Sequence, residues 1–144
     1  MALGIKNADD PIDWAALTRY ASEVRERAYA PYSGFKVGAA GLVEDGRVVL
    51  GCNVENASYA MSLCAESGLV SALHATGGGR LVAVAIVGPG GQLVTPCGHS
   101  RQVLWENGGA DLQVQTPSGV RPMSEVLPDA FDASDLRRAG ASAE

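Results

Sequence analysis

The sequence predicts an α/β fold, a three-layer α/β/α sandwich with a central mixed sheet. Three observations carry this prediction: helical and strand-like patterns alternate along the chain, residues 81–87 form a near-continuous apolar run, and two strand-like runs are joined by a short turn. An apolar run of this kind is typical of a strand buried on both faces. Helices on both sides of one sheet give three layers. At 144 residues, we expect a single domain over residues 1–144.

The first half of the chain predicts a helix, a hairpin and a second helix. Asp10 before Pro11 is typical of a helix start, and apolar residues then recur at helical spacing. Three glycines at 77–79 end the second helix. The predicted bounds are a helix over 11–29, strands over 35–43 and 47–54, and a helix over about 62–76. Gly38, Gly41 and Gly51 lie inside the strands, where we expect a close approach by another backbone or a ligand.

The second half predicts a central strand followed by shorter elements. The predicted bounds are the strand over 81–87, an extended segment over 92–95, a helix over 97–107, a strand over 112–115 and a short helix over 122–127. The small polar residues 139–144 are expected to be frayed.

Composition excludes several classes of function. The net charge of −5 and the pI of about 5.0 argue against binding to a nucleic acid polymer, which requires clustered Lys and Arg. No apolar stretch is long enough for a membrane span, and the first ten residues lack the order of a signal peptide. Three cysteines cannot form a complete disulfide framework, so we expect reduced thiols and a cytoplasmic protein.

Two cysteines open predicted helices, each within a short motif: Cys64-Ala65-Glu66 and Pro96-Cys97-Gly98-His99-Ser100. A helix N-terminus favours the thiolate, which is the form that binds zinc. Glu66 is close enough to Cys64 to handle protons beside a metal ion. The zinc deaminase signature is His-or-Cys-x-Glu followed by Pro-Cys-x-x-Cys, and the chain matches its order and spacing except that Ser100 replaces the last cysteine.

Further motifs match one family in the same order. They are Pro31-Tyr32-Ser33-Gly34-Phe35-Lys36-Val37-Gly38-Ala39-Ala40, Gly51-Cys52-Asn53-Val54-Glu55-Asn56-Ala57-Ser58-Tyr59, Pro96-Cys97-Gly98 with Arg101-Gln102, and Leu127-Pro128-Asp129-Ala130-Phe131. With Cys64-Ala65-Glu66 they make the chain resemble the small homotetrameric cytidine deaminases from about residue 29 to residue 136. Ser67 departs from the resemblance, since many members have arginine there.

The resemblance implies zinc-dependent hydrolytic deamination of cytidine or deoxycytidine in pyrimidine salvage, by a homotetramer. It implies that Cys64 and Cys97 ligate Zn²⁺, with Ser100 at the third ligand position, and that Glu66 shuttles protons. The substrate-binding residues it implies are Phe35 in the pocket wall, Asn53 and Glu55 at the ribose, and Phe131 over the pyrimidine of a neighbouring subunit's site. Asn53 and Glu55 stand at alternate positions of a strand end and so face one side. A turn role for this pair and a core role for Phe131 are the alternatives.

Position 100 leaves three alternatives open, because a serine hydroxyl is a poor zinc ligand. Ser100 or a water that it fixes fills the third position, or His99 supplies an imidazole, or the chain is a metal-poor binding homologue or carries an introduced Cys-to-Ser change at this position. One residue turns a helix by about 100°, so His99 is expected to reach the metal only if the helix start is rearranged. Deamination of another aminopyrimidine on the same scaffold is a further alternative.

Overall fold

The structure, a computed structural model, describes residues 11–140. It contains five α-helices, two short 3₁₀-helices and five strands within that range. The helices are α1 (Trp14–Arg25), α2 (Ala65–Ala75), α3 (Gly98–Gly108), α4 (Met123–Val126) and α5 (Ala133–Arg138), and the strands are β1 (Gly38–Val43), β2 (Val48–Cys52), β3 (Leu81–Val87), β4 (Gln113–Thr116) and β5 (Gly119–Pro122). Nowhere in this range is a helix long and apolar enough to cross a membrane.

The five strands form one mixed sheet in the order β2-β1-β3-β4-β5. Strand β1 pairs antiparallel with both β2 and β3, so that Gly38 lies opposite Cys52 on one side and Val87 on the other. Strand β3 pairs parallel with β4, and β4 pairs antiparallel with β5. The predicted mixed sheet, with residues 81–87 as its central strand, is therefore confirmed.

Helices cover both faces of this sheet, which gives the three predicted layers. Helix α1 packs on one face through Leu17 and Ala21, against a cluster that includes Ala83 and Ala85 of β3. On the other face, helices α2, α3 and α4 bury a larger cluster, whose members include Leu69, Leu73, Leu104, Val84, Ile86, Met123 and Val126. Alternate residues of β3 thus face different layers, which explains why its sequence is apolar throughout.

Several predicted elements are shorter in the structure, above all α1 and the two hairpin strands. Helix α1 begins at Trp14 because the side chain of Asp13 accepts a hydrogen bond from the backbone N–H of Ala16. It ends at Arg25, and Tyr29 has left the helix because its backbone pairs with Asn53 and Glu55. The hairpin strands stop at Gly38 and Cys52. The predicted cap at Asp10 and the tail at 141–144 lie outside the described residues.

The strand glycines mark places where helix backbones touch the sheet. A Cβ at Gly51 would lie 2.2 Å from the carbonyl oxygen of Ala65, and one at Gly38 would lie 2.0 Å from that of Ala21. Both distances are far below van der Waals contact. The predicted close approach is therefore that of α2 at Gly51 and of α1 at Gly38, and the first of these fixes where α2 begins.

Strand β5 and helix α5 were not predicted. Strand β5 has four residues, ends in Pro122 and is mostly exposed, so it has little apolar pattern to detect. Helix α5 begins with a capping box in which Asp132 and Asp135 exchange side-chain-to-backbone hydrogen bonds. This pair of aspartates is a readable signal, although it differs from the commoner Ser/Thr-x-x-Glu/Gln form of the box.

Candidate active site

The candidate site lies beyond the carboxyl ends of strands β2 and β3. Because β2 and β3 are both antiparallel to β1, they run parallel to each other and end at the same edge. Helix α2 begins shortly after β2, and α3 begins after β3 and a segment that returns to pair Leu93 with Val87. The topology thus brings the N-termini of two helices together, where their unpaired N–H groups favour anionic groups such as thiolates.

Cys64 is the N-cap of α2 and is half-buried. Its Sγ atom accepts a hydrogen bond from the backbone N–H of Ser67 at 3.3 Å, and the Ser67 hydroxyl lies 3.0 Å from the same sulfur. These two contacts hold the Cys64 side chain against the first turn of α2. The prediction that Cys64 opens a helix is confirmed by this geometry.

Glu66 stands on the first turn of α2 with only 5% of its surface exposed. Burial raises the pKa of this carboxyl above its ordinary value, because desolvation penalises the charged form. Nearby polar groups, among them Ser100 and Cys64, oppose the rise. A buried carboxyl with a raised pKa is better suited than an exposed one to accept a proton and return it.

Cys97 is the N-cap of α3 and is exposed. The backbone N–H and the hydroxyl of Ser100 hold the pKa of the Cys97 thiol below its ordinary value. The Ser100 side chain is 1% exposed, and its Oγ atom lies 3.6 Å from the sulfur of Cys97 and 3.6 Å from that of Cys64. Ser100 therefore lies between the two thiols.

The mouth of the site holds Asn53 and Glu55, which face the same cleft as the thiols. The Asn53 side chain accepts from the N–H of Val37 and donates to the carbonyl of Phe35, both at 2.8 Å. Glu55 accepts from the N–H groups of Tyr32 and Ser33 and, at 2.5 Å, from the Ser33 hydroxyl. These hydrogen bonds, those from Ser33 above all, hold the pKa of Glu55 below its ordinary value. Both side chains therefore also have the alternative turn role, because they hold the backbone of residues 32–37 in place.

One cleft of about 410 Å³ collects most of the predicted site residues. Phe35, half-exposed, forms part of its wall. The predicted residues that line it are Phe35, Asn53, Glu55, Cys64, Glu66, Cys97 and Ser100. Phe131 lies elsewhere, against Asp129 to Asp135, and is 56% exposed. The core alternative for Phe131 is wrong, since its side chain is mostly at the surface.

Two residues that support the site had no assigned role in the sequence. Arg101 donates from Nε to the carbonyl of Pro96 at 2.8 Å and from Nη1 to that of Val126 at 2.9 Å, which ties the loop before Cys97 to α4. Gln102 donates to the carbonyl of Phe131 at 2.8 Å. Both belong to a motif that the sequence displays, but their partners are distant in the chain and only the fold identifies them.

The donor set was compared with the requirements of a zinc ion. Donors on one tetrahedral zinc lie about 3.5–3.8 Å apart, given Zn–S and Zn–N bonds of about 2.3 and 2.0 Å. The separations of Ser100 Oγ from both sulfurs fit this range. Within residues 11–140, no three His, Cys, Asp or Glu side chains already form a complete set of metal ligands. The two thiols are donors of the kind that zinc prefers, and Ser100 on the first turn of α3 lies at a suitable distance from each of them.

Two thiols at helix N-caps beside a buried carboxyl, on an α/β/α sandwich, are features of the class of hydrolytic zinc enzymes. Comparison with known proteins gives the family. Residues 13–116 match the family model described as the cytidine and deoxycytidylate deaminase zinc-binding region. The chain belongs to this deaminase family.

Individual relatives agree with the match. A cytidine deaminase of Mycobacterium tuberculosis is 54% identical over 127 residues, which cover 88% of this chain and 96% of that protein. One from Halalkalibacterium halodurans is 42% identical, over 87% of this chain and 98% of that protein. The crystal structure of cytidine deaminase from Mycobacterium tuberculosis superimposes with a TM-score of 0.83 at 53% identity, covering 85% of this chain and 99% of the other.

These findings confirm the predicted fold, family and cofactor. The fold is that of the solved cytidine deaminases, and Zn²⁺ follows because the matching family model is a zinc-binding region. The individual roles of the site residues stay predictions.

Proposed function

We propose that this protein catalyses the zinc-dependent hydrolytic deamination of cytidine or deoxycytidine to uridine or deoxyuridine, with release of ammonia. The observation that carries the proposal is the buried carboxyl of Glu66 beside two helix-capping thiols at the floor of a cleft. The mouth of that cleft presents an amide and a carboxylate suited to a sugar. The names of the relatives support the same activity.

Cys64 and Cys97 would hold the zinc ion as thiolates, with the third protein donor from the first turn of α3. Ser100, the residue predicted from the sequence, lies there beside His99. When bound, zinc lowers the pKa of a coordinated water to about 7 and so provides hydroxide at neutral pH. Both thiols stand at helix N-termini, which offset part of the negative charge of two thiolates.

Glu66 transfers the protons of the attacking water to the pyrimidine. Its carboxylate takes the proton of the attacking water and passes it to ring N3 as the C4–O bond forms. It then carries the remaining hydroxyl proton to the exocyclic nitrogen, and the C4–N bond breaks to release ammonia. Its burial keeps competing water away, and its raised pKa matches it to giving as well as taking a proton.

Asn53 and Glu55 would bind the ribose hydroxyls. Each side chain keeps spare hydrogen-bonding capacity beyond its bonds to the loop of residues 32–37. The Asn53 amide has a second N–H and a second oxygen lone pair, and three of about four carboxylate positions of Glu55 are used. The bonds to the loop therefore orient both groups without saturating them. Phe35 would lie against the substrate as part of the wall.

Phe131 would complete the site of a neighbouring chain in a homotetramer. Its ring is exposed and lies outside the cleft of its own chain. Tyr59 and Met61, which are also exposed, stand just before Ser62 in the cleft wall, so apolar surface borders the cleft mouth. Exposed apolar surface of this kind is typical of a contact between chains. Dilution below the assembly concentration should therefore reduce activity together with molecular mass.

The three cysteines, all free, support placement of the protein in a reducing cytoplasm. There, deamination of free nucleosides would serve pyrimidine salvage. The acidic net charge supports small nucleosides over nucleic acid polymers as substrates. We also propose that residues 1–144 fold as one domain.

The test uses purified full-length chain loaded with zinc and offers cytidine, deoxycytidine and free cytosine. We expect uridine or deoxyuridine and ammonia in equal amounts from the nucleosides, and much slower turnover of cytosine because it lacks the sugar. Glu66→Gln is the inactive control, and Glu106→Gln on the exposed side of α3 is the matched active control. Zinc-loaded protein without turnover would indicate a binding homologue, and turnover of another aminopyrimidine alone would change the substrate class.

A further inference from the structure

The imidazole of His99 lies close to Cys64, one of the two candidate zinc-binding cysteines. Its Nδ1 atom is 4.0 Å from the sulfur of Cys64, across the gap between the starts of α2 and α3. The sequence indicated that the helical offset of about 100° from Ser100 would keep His99 away from the metal. The side chain is long enough to cover that offset without any change in the start of α3, which runs regularly from Gly98.

Ligand chemistry separates His99 from Ser100. Zinc in proteins is bound by thiolate, imidazole and carboxylate, and a neutral hydroxyl is not among its ordinary ligands. Two cysteines with one histidine form a donor set found in catalytic zinc sites, and they leave the fourth position to water. Two thiolates with Ser100 alone would leave the ion with two strong protein ligands.

The surroundings of Ser100 suit a different task. Its buried hydroxyl donates a hydrogen bond to the sulfur of Cys64 and accepts one from the thiol of Cys97, both at 3.6 Å. Ser67 stands in the equivalent position on α2, three residues after its N-cap cysteine, and its hydroxyl lies 3.0 Å from Cys64. Each helix start thus pairs a cysteine with a serine that hydrogen-bonds sulfur, and Ser100 repeats on α3 what Ser67 does on α2.

His99 has room to close the last few tenths of an ångström. Its side chain is exposed, so the ring is free to turn towards the sulfur of Cys64. An imidazole nitrogen and a thiolate on one tetrahedral zinc lie about 3.6 Å apart. Rotation of the exposed ring towards Cys64 would bring the 4.0 Å separation to that value.

We propose that His99, through Nδ1, is the third protein ligand of the zinc ion, and that Ser100 is a positioning residue that hydrogen-bonds the thiolates. The proposal rests on the proposed function, since it names a ligand of the same site. It replaces a hydroxyl by an imidazole in the third position and leaves the roles of Cys64, Cys97 and Glu66 as they stand.

The experiment compares full-length wild type with His99→Ala, Ser100→Ala and the control His74→Ala. The chain has two histidines, and His74 contacts Asn107 on the surface, so its removal tests for a non-specific effect of losing an imidazole. Zinc affinity is measured by competition with a chromophoric chelator, and ligands are identified by zinc-edge X-ray absorption and by the spectra of Co²⁺-substituted protein. The double variant His99→Ala/Ser100→Cys, which restores three strong ligands, shows that the altered chain still folds.

We expect His99→Ala to weaken zinc binding by more than about 100-fold and to remove the imidazole scattering. Ser100→Ala should weaken it by about 10-fold, the usual scale for a residue that supports ligands, and shift the Co²⁺–thiolate charge-transfer band. The double variant should recover tight binding, and His74→Ala should match wild type.

Zinc binding lost in Ser100→Ala and kept in His99→Ala would overturn the proposal, as would wild-type spectra without imidazole. Failure of wild type to bind zinc at all would overturn the proposed function as well, whereas an active wild type without an imidazole ligand would overturn this inference alone.

Discussion

The floor and the mouth of the cleft are built in different ways. The floor consists of two helix starts and the buried side chains of Glu66 and Ser100. The mouth consists of the loop of residues 32–37 and the polar pair Asn53 and Glu55, which follow the end of β2 and are only half-buried. The floor is held by helix packing against the sheet, and the mouth by side-chain hydrogen bonds to backbone.

This difference separates chemistry from recognition. Groups that shift protons need a dry and fixed environment, which the helix starts provide because Gly51 lets α2 lie directly on β2. Groups that bind a polar sugar need access and spare hydrogen-bonding capacity, which the mouth provides. Substitutions at the floor should therefore change kcat or stability, and substitutions at the mouth should change KM.

The largest effect is expected at Glu66. Glu66→Gln keeps the shape of the side chain and removes its ability to carry a proton, so kcat should fall by about 10²- to 10⁴-fold, the usual contribution of a general acid–base group. Zinc content and the dissociation constant for cytidine should stay close to those of wild type. Steady-state kinetics with metal analysis checks both. A large rise in KM with an unchanged kcat would place Glu66 with the mouth and break the comparison.

A second test addresses how the floor is held. Gly51→Ala places a Cβ 2.2 Å from the carbonyl of Ala65, so the start of α2 has to move, at a cost of about 3 kcal/mol in the free energy of unfolding. Gly98→Ala at the start of α3 is the matched control, because a Cβ there meets nothing within 4 Å. That variant should change the unfolding free energy by less than about 1 kcal/mol. Urea unfolding at one protein concentration compares them, and equal effects would refute the account of α2.

At the mouth, Glu55→Gln should raise KM for cytidine by about 10- to 100-fold, since hydrogen bonds to a charged group contribute about 1.5–3 kcal/mol. The value of kcat should stay within a few-fold of wild type, because the proton carrier is untouched. Deoxycytidine, which lacks one hydroxyl, provides a second substrate to locate the contact. An unchanged KM for both substrates would remove Glu55 from the ribose site.

The smallest effect concerns the pH dependence of the mouth. Hydrogen bonds from Ser33 lower the pKa of Glu55 in the folded chain below its ordinary value of 4.5. The folded state therefore binds fewer protons than the unfolded state in this range, so the stabilisation is present above pH 4.5 and is lost as the pH falls through the folded value. Ser33→Ala should lower thermal stability slightly at pH 7, and the gap to wild type should narrow at lower pH. A gap that widens on acidification would contradict this sign.

The sequence was most informative where a single physical cause determined the residue pattern. The run over 81–87 predicted β3 to the residue because both faces of that strand are buried. Helices α2 and α3 were predicted to within a few residues. Cysteines stand at their N-caps, and glycines follow or form their C-terminal ends. Helix α1 was predicted too long because the pairing of Tyr29 with Asn53 and Glu55, which ends the helical path, is a long-range contact.

The parts that sequence reasoning missed depend on such long-range geometry. The distance between His99 and Cys64 joins residues 35 positions apart and is set by the packing of α2 against α3. The partners of Arg101 and Gln102 lie on α4 and the segment after it. Phe131 was predicted to act beyond its own chain or to lie in the core, and only the fold excluded the core.

Zinc at the floor of this cleft should drive the deamination of a cytosine nucleoside. The most direct test strips the protein of metal, returns zinc in measured steps and follows the conversion of cytidine to uridine. We predict negligible turnover without metal and a linear rise of activity that ends at one zinc per chain. Equal turnover in stripped and zinc-loaded protein, or bound zinc without turnover, would contradict the claim.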